Sequence, residues 1–147
     1  MIRLAEYEEL AVLSRLMKDL FSSKMQESYS EEGKSSLGLQ LELSALQKRF
    51  LGKSLFYLYY DNGDIKGVLE IESPRHIAFL FVKEEGRGIA KALCNRAFGN
   101  MGEGVSTVGA FGKAIGFYTA MGFEKVSEEK IFHGIPFTLM AKQLKPF

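Results

Sequence analysis

A glycine-bearing turn between a predicted strand and a predicted helix is the segment best suited to chemistry. An apolar run at 76–82 leads into the turn at 84–88, and a helical pattern begins at Ile89. Such a turn gathers unpaired backbone N–H groups at the positive end of the helix dipole, which suits a phosphate group. The absence of side chains at Gly86 and Gly88 lets an anion reach the backbone. The segment therefore predicts binding of a phosphorylated cofactor.

Titratable side chains elsewhere are candidates for moving protons. Glu70 and Glu72 alternate on one predicted strand, so they would share a face about 6–7 Å apart. That spacing suits a cationic amine, with one carboxylate taking a proton directly or through water. The alternative is the solvated face of a half-buried strand. Histidine titrates nearest neutral pH, but we interpret His76 as a satisfied polar residue rather than a base, and His133 as solvent-facing.

Cys94 is the single cysteine of the chain. It excludes an intrachain disulfide and a multi-cysteine metal site, and it fits a reducing compartment. Its neighbours at helical spacing, Ala90, Ala97 and Phe98, are apolar. We therefore expect Cys94 in the core rather than as a nucleophile in a ping-pong reaction, and we expect no metal.

Composition limits the classes of partner. The chain has 147 residues, of which 46% are hydrophobic and 25% charged, which predicts one domain over residues 1–147 with a packed core. The formal net charge is +1, from 19 basic and 18 acidic residues. No strong basic field therefore favours nucleic acid or an anionic membrane. Neither a signal peptide nor an apolar stretch of membrane-spanning length is visible, which predicts a cytoplasmic protein.

Hydrophobic periodicity predicts one α/β domain on a mixed sheet. The residues at 76–82 hardly alternate, which indicates burial on both faces and a central strand. Asp61 to Asp64 is a strong hairpin turn. The predicted elements are strand 2–5, helix 7–24, a mobile polar loop 22–36, helix 37–50, strands 54–60, 65–73 and 76–82, helix 89–98, strand 105–108, helix 113–121, and strands 124–130 and 136–143.

Two motifs resemble the GNAT superfamily of acyl-CoA-dependent N-acyltransferases. The pattern Q/R-x-x-G-x-G/A, which in that family holds the pyrophosphate of coenzyme A, falls on Glu85 to Ala90. The family's downstream pattern Ala-x-x-Phe-Tyr-x-x-x-Gly-Phe is matched by Ala114, Phe117, Tyr118, Gly122 and Phe123. The closing residues 134–140 also look like a bacterial subgroup of small members. The resemblance implies a central, mostly antiparallel sheet of about seven strands flanked by about four helices.

The resemblance also implies site residues. Tyr118 would be the general acid that protonates the leaving thiolate; the alternative is a core tyrosine whose hydroxyl bonds to the backbone. Tyr29 and Glu32, with Glu31, lie before the second predicted helix, where acceptor sites usually lie. The residues implied to bind acetyl-CoA are Phe81, Val82, Lys83, Gly86, Arg87, Gly88, Ile89, Ala90, Lys91, Gly109, Phe117 and Tyr118.

The function implied is transfer of an acetyl group from acetyl-CoA to the primary amine of a small acceptor, by direct attack in a ternary complex. The acidic pair described above hints that the acceptor is cationic. The alternative is a GNAT-fold sensor that binds acyl-CoA without turnover. It is favoured by Glu85, where the family prefers Gln or Arg, and by Gly109, where many members have an asparagine. A dinucleotide-binding domain fits poorly. In that fold the glycine motif follows the first strand, whereas here it follows four predicted strands. A homodimer through the C-terminal strands is left open.

Overall fold

The computed structural model describes residues 1–24 and 28–145. Within them it has an α/β fold of seven strands and five α-helices, in the order predicted except for one helix. The elements are β1 (Ile2–Leu4), α1 (Leu10–Lys24), α2 (Glu31–Gln40), α3 (Leu43–Leu51), β2 (Leu55–Asp61), β3 (Asp64–Glu72), β4 (His76–Val82), α4 (Ile89–Met101), β5 (Gly104–Ala110), α5 (Lys113–Ala120), β6 (Glu124–Phe132) and β7 (Ile135–Leu144).

The strands form one sheet in the order β1-β2-β3-β4-β5-β7-β6. All neighbours pair antiparallel except β4 and β5, which are parallel. This parallel pairing is short: it joins only His76 to Thr107 and Ile77 to Val108. Beyond Ile77 the two strands no longer pair, which leaves a gap in the middle of the sheet. The predicted mixed, mostly antiparallel sheet is confirmed.

Two hydrophobic clusters lie on opposite faces of this sheet. Val68 belongs to the cluster that includes α1, α2 and α3, whereas the next residue, Leu69, belongs to the cluster that includes α4 and α5. This alternation is what a strand with helices on both sides requires. The gap between β4 and β5 therefore lies between two separately packed layers of helix.

The predicted helix at 37–50 is wrong in its bounds, because the structure has two helices there. The first, α2, begins at Glu31, inside the segment predicted to be a loop, of which 25–27 lie outside the described residues. Ser30 caps this helix, since its Oγ accepts a hydrogen bond from the N–H of Gly33 at 3.1 Å. Two glutamates in the first turn also favour the helix dipole. A local cap thus outweighs the absence of hydrophobic periodicity.

The predicted central position of β4 is confirmed, but its predicted burial on both faces is wrong. Only Ile77 and Phe81 are buried, and the other residues of the strand are half-buried. The strand borders the gap, so its side chains line an opening instead of a closed core. No helix within the described ranges combines the length and the hydropathy needed to cross a membrane.

Candidate active site

The glycine turn presents a row of unpaired amides. Gly86 and Gly88 have φ of 78° and 75°, which glycine adopts without strain. In the part of the chain that the structure describes, no hydrogen-bond acceptor is found for the backbone N–H groups of residues 86–91. The first amide of this segment to bond is that of Ala92, which donates to the carbonyl of Gly88 at 3.0 Å. The start of α4 is therefore a group of donors directed at open space, as the sequence predicts.

The side chains around this turn add little net charge. Arg87 Nε pairs with a carboxylate oxygen of Glu84 at 3.0 Å, and both residues are exposed. Glu85 is exposed as well, and among the described residues it makes no hydrogen bond to the free amides. The carboxylate therefore does not block the turn. Attraction for an anion must come mainly from the backbone and the helix dipole.

The end of β4 is tied to α1 by a residue that sequence reasoning missed. Lys24 Nζ donates to the carbonyl of Val82 at 2.8 Å and also to that of Lys83. Lys83 in turn pairs with Asp64 at 3.3 Å. Nothing in the local pattern marks Lys24, because its partners lie 58 and 59 residues further along the chain.

A cleft of about 360 Å³ lies along the gap between β4 and β5. Residues 76–81 of β4 form one side, and Val108 and Gly109 of β5 form the other. The register between β3 and β4 changes here, from Glu70 opposite Phe79 to Ile71 opposite Ile77. Ala78 is left without a partner, which is the signature of a β-bulge. Because β4 and β5 stop pairing after Ile77 and Val108, main-chain groups of β4 that face the gap are not used by the sheet.

Tyr118 lies on α5 and lines this cleft, although it is only 4% exposed. Its ring packs edge-on against Phe117 at 5.0 Å and Phe123 at 5.4 Å between centroids. Among the described residues its hydroxyl has no hydrogen-bond partner, so the alternative of a backbone-bonded hydroxyl finds no support. Burial, with a smaller effect of the Cys94 thiol, raises the pKa of Tyr118 well above its usual value. The phenol is thus held protonated.

His76 also lines the cleft, at the point where β4 and β5 stop pairing. Its Nδ1 lies 2.8 Å from Oγ1 of Thr107, the residue opposite it on β5. A donor role for Nδ1 in this bond leaves Nε2 as a proton acceptor. The residue is satisfied on one nitrogen, as the sequence predicts, and it also lines the cleft.

The prediction that Glu70 and Glu72 form an amine-binding face is wrong for Glu70, and so is the alternative of a solvated face. Glu70 is fully buried, and its two carboxylate oxygens accept hydrogen bonds from Nε and Nη2 of Arg49 at 2.7 and 3.1 Å. Arg49 reaches Glu70 from α3 and supplies the opposite charge that a buried carboxylate needs. Neither glutamate lines the cleft; Glu72 is half-exposed and lies opposite His76.

Of the two predicted acceptor-binding residues, one lines the cleft and the other does not. Tyr29 lines the cleft, with ring centroids 5.5 Å from Phe21 and 5.7 Å from Phe111, and burial raises its pKa. Glu32 is exposed and does not line the cleft. Sequence reasoning missed most of the other residues that line the cleft, since their patterns are those of ordinary core strands and helices. These are Leu37, Gln40, Phe79, Phe111, Phe132, Ile135, Pro136 and Phe137.

The remaining predicted residues are placed as follows. Phe81 and Gly109 line the cleft, whereas Phe117 packs beside Tyr118 and does not. Cys94 is fully buried in the cluster that includes α4, as expected, and burial raises the pKa of its thiol to about 12. Within residues 1–24 and 28–145 there is no group of three His, Cys, Asp or Glu side chains that could hold a metal ion.

Comparison with known proteins agrees with this geometry. The family model described as acetyltransferase (GNAT) domain matches residues 25–144. A GCN5-related N-acetyltransferase from Rhodopseudomonas palustris superposes with a TM-score of 0.84 at 21% identity, over 98% of this chain and 95% of its own. The PaiA N-acetyltransferase from Thermoplasma acidophilum, solved in complex with coenzyme A, has a TM-score of 0.80 at 18% identity, over 97% of this chain and 98% of its own.

A third solved structure is YncA, a putative acetyltransferase from Salmonella typhimurium with its cofactor acetyl-CoA. It has a TM-score of 0.72 at 16% identity, over 100% of this chain and 95% of its own. A search of curated sequences finds no significant match. Identities this low establish the fold alone, but the family model covers most of the chain, including both motifs. The chain therefore belongs to the GNAT family of acetyltransferases, as its two motifs predict.

Proposed function

We propose that the protein transfers an acetyl group from acetyl-CoA to the primary amine of a small acceptor, by direct attack in a ternary complex. The observation that carries this proposal is the row of unpaired amides at residues 86–91, beside a cleft that opens where β4 and β5 separate. Solved relatives of the same fold contain coenzyme A or acetyl-CoA. Their ligands support the choice of cofactor for this chain.

The residues present fit coenzyme A. The amides of residues 86–91 suit its diphosphate, because backbone donors at a helix start bind phosphate without a basic side chain. A Cβ built on Gly86 or Gly88 would meet no atom within 4 Å, so the space in front of this turn is free. The pantetheine arm would lie in the gap, between the end of β4, with Phe81, and Gly109 of β5.

Acetyl-CoA, when bound, supplies an acetyl thioester: a C–N bond to the acceptor replaces the C–S bond, and one proton passes from the amine to the sulfur. Main-chain groups of β4 that face the gap would polarise the thioester carbonyl. Tyr118 holds a proton at its hydroxyl for the departing thiolate. His76 replaces the two glutamates as our candidate for the general base, with Nε2 accepting the proton of the amine.

Two further expectations stay predictions. A homodimer through the C-terminal strands would use β6, which is one of the two edge strands of the sheet and exposes Val126, Ile131 and Phe132. A cytoplasmic location rests on the sequence alone.

The proposal is tested by acetyl-CoA binding and by release of the CoA thiol in the presence of amines. Binding should raise the melting temperature by mass action. In Gly88→Ala this rise should shrink, because a side chain would stand before the amides. Gly63→Ala is the matched control: Gly63 has the same φ of 75° and equally open surroundings, so the strain of about 1 kcal/mol is similar.

The outcomes separate the candidate functions. An unchanged melting temperature at saturating acetyl-CoA would contradict the proposal at its first step. Binding that depends on Gly88, without thiol release for any amine, would instead identify the acyl-CoA-binding sensor. Turnover that falls in Gly88→Ala and persists in Gly63→Ala is the result expected for the transferase.

A further inference from the structure

The wall of the cleft that faces the acceptor is apolar and aromatic. It is formed by Tyr29, by α2, and by the hairpin of β6 and β7. Members of this wall, including Tyr29 and Leu37, belong to the cluster on the α1–α3 face, whereas Tyr118 and Val108 belong to the opposite cluster. The cleft thus connects the two faces of the sheet. An acceptor can approach from the face opposite α5 and its Tyr118.

No carboxylate lines the cleft within the described residues. Glu70, which lies opposite the wall residue Phe79, is neutralised by Arg49, whose Cζ lies 5.3 Å from the ring centroid of Phe79. Glu31 is paired with Lys34 at 3.1 Å on the outer surface. An acceptor with several positive charges would have to desolvate them against rings and aliphatic chains, at high cost.

What the wall does offer is ring surface and a few polar groups. Tyr29 joins Phe21 and Phe111 in a row of tilted rings, and Phe132 and Phe137 line the opening on the hairpin side. Aromatic surfaces of this kind favour another ring, and they tolerate a single ammonium group through cation–π attraction. Gln40 and His76 add polar groups that can orient one amine.

We propose that the acceptor is a monoamine carried on a neutral aromatic or apolar body, of the arylalkylamine class, and not a polyamine or an aminoglycoside. This inference rests on the proposed function and replaces the cationic acceptor suggested by the paired glutamates. Specificity comes from the aromatic wall, and the amine is distinguished only by its position relative to His76 and the bulge of β4.

Binding tests the acceptor class independently of turnover. Tryptamine, spermidine and kanamycin are each titrated into the protein, with and without saturating CoA, by calorimetry. Tryptamine should bind at least about tenfold more tightly than either polycation. Tighter binding of spermidine or kanamycin, or no binding of tryptamine at millimolar concentration, would overturn the inference. Thiol release is measured in parallel, and its absence with every amine would count against the transferase instead.

A pair of neighbouring substitutions locates the site. Phe132→Asp places a carboxylate at the mouth of the cleft, and Phe132 is 64% exposed, so folding should survive. Ile131→Asp is the control, since Ile131 is 72% exposed and does not line the cleft. Both place the same charge on β6 but on opposite faces of the strand, so the oligomeric state of each variant is measured to separate an effect on association from one on the cleft. Only Phe132→Asp should weaken tryptamine binding and strengthen spermidine binding; equal effects of the two variants would contradict the assigned wall.

Discussion

Gly33 of α2 and Gly134 of the β6–β7 turn meet backbone to backbone at one wall of the cleft. A Cβ built on Gly33 would collide with the carbonyl oxygen of Gly134. The contact is extended by Ser36, whose hydroxyl donates to the carbonyl of His133 at 2.8 Å. This hydrogen bond holds together two segments whose bonded residues are 97 positions apart. Of these segments, α2 contributes Leu37 and Gln40 to the acceptor wall, and the hairpin contributes Phe132 and Phe137.

Gly33→Ala should therefore open this wall. We expect a several-fold rise in KM for the amine and no change in KM for acetyl-CoA, together with a lower melting temperature. Gly38→Ala is the matched control on the same helix, because a Cβ there meets no atom within 4 Å. It should stabilise the helix by about 0.5–1 kcal/mol and leave both KM values unchanged. Equal kinetics for the two variants would show that the contact does not shape the acceptor site.

Tyr118→Phe should separate catalysis from packing. The ring contacts with Phe117 and Phe123 are kept, so stability should change little, whereas kcat should fall by roughly 10²–10⁴ if the hydroxyl is the general acid. Burial raises the pKa of Tyr118, and an acid acts in its protonated form. The wild-type rate should consequently show no decrease from this group as the pH rises to about 10.

Tyr57→Phe is the control for that variant. Tyr57 is equally buried in the same cluster, and its hydroxyl accepts a hydrogen bond from Asn100 at 3.2 Å, away from the cleft. Loss of this hydrogen bond should lower the free energy of unfolding by about 1 kcal/mol and leave kcat unchanged. A wild-type kcat in Tyr118→Phe would assign the tyrosine to the core alone.

The strands and the glycine turn were predictable because their signals are local. The bounds of β4 at His76 and Val82 follow from an apolar run between two turns, and the left-handed Gly86 and Gly88 follow from the chemistry of a strand–helix turn. In contrast, the buried state of Glu70 depends on Arg49, which lies 21 residues earlier and on a different element. Period-two alternation could not identify that partner.

The residues of the acceptor wall could not be predicted from the sequence, for a related reason. Phe79 and Phe137 have the pattern of core strand residues, and they would be core if β4 and β5 paired along their full length. Their exposure to a cleft results from the early end of that pairing after Ile77 and Val108. Separation of two strands is a tertiary feature, and it leaves no mark on the periodicity of either strand.

Glu85→Gln should strengthen acetyl-CoA binding. The exposed carboxylate stands at the motif position beside the free amides, and a negative charge about 4 Å from a phosphate costs about 1 kcal/mol in water. Removing it should lower KM for acetyl-CoA by up to about fivefold, more at low salt. Glu103→Gln, at the far end of α4, removes an equivalent exposed charge and should have no such effect. An unchanged KM in both would mean that Glu85 is too far from the diphosphate to matter.

Glu70→Gln should lower stability and spare catalysis. It removes a fully buried charge that Arg49 holds through two hydrogen bonds, at a cost of about 2–3 kcal/mol. Measured well below the melting temperature, kcat should stay at the wild-type value. Replacing both Arg49 and Glu70 by Met should recover much of the stability, since neither charge is then left unpaired. A large fall in kcat with an unchanged melting temperature would restore Glu70 as a candidate base.

Cys94→Ala should leave the kinetic mechanism intact. Burial raises the pKa of the Cys94 thiol to about 12, so almost no thiolate exists near neutral pH to accept an acetyl group. Double-reciprocal plots for wild type should intersect, as a ternary complex requires, and intact mass after incubation with acetyl-CoA alone should show no acetyl adduct. Parallel plots, or loss of turnover in Cys94→Ala, would indicate a ping-pong route through this residue.

The raised pKa of the same thiol predicts that the free energy of unfolding decreases at alkaline pH. Its pKa is higher in the folded chain than in the unfolded chain, so its contribution is complete below about pH 8.5 and is lost as the pH rises towards about 12. In that range the wild-type free energy of unfolding should fall by up to about 1.4 kcal/mol per pH unit more than that of Cys94→Ala. Parallel pH profiles for the two proteins would mean that the thiol ionises in the folded state, and the argument against a nucleophilic Cys94 would then fail.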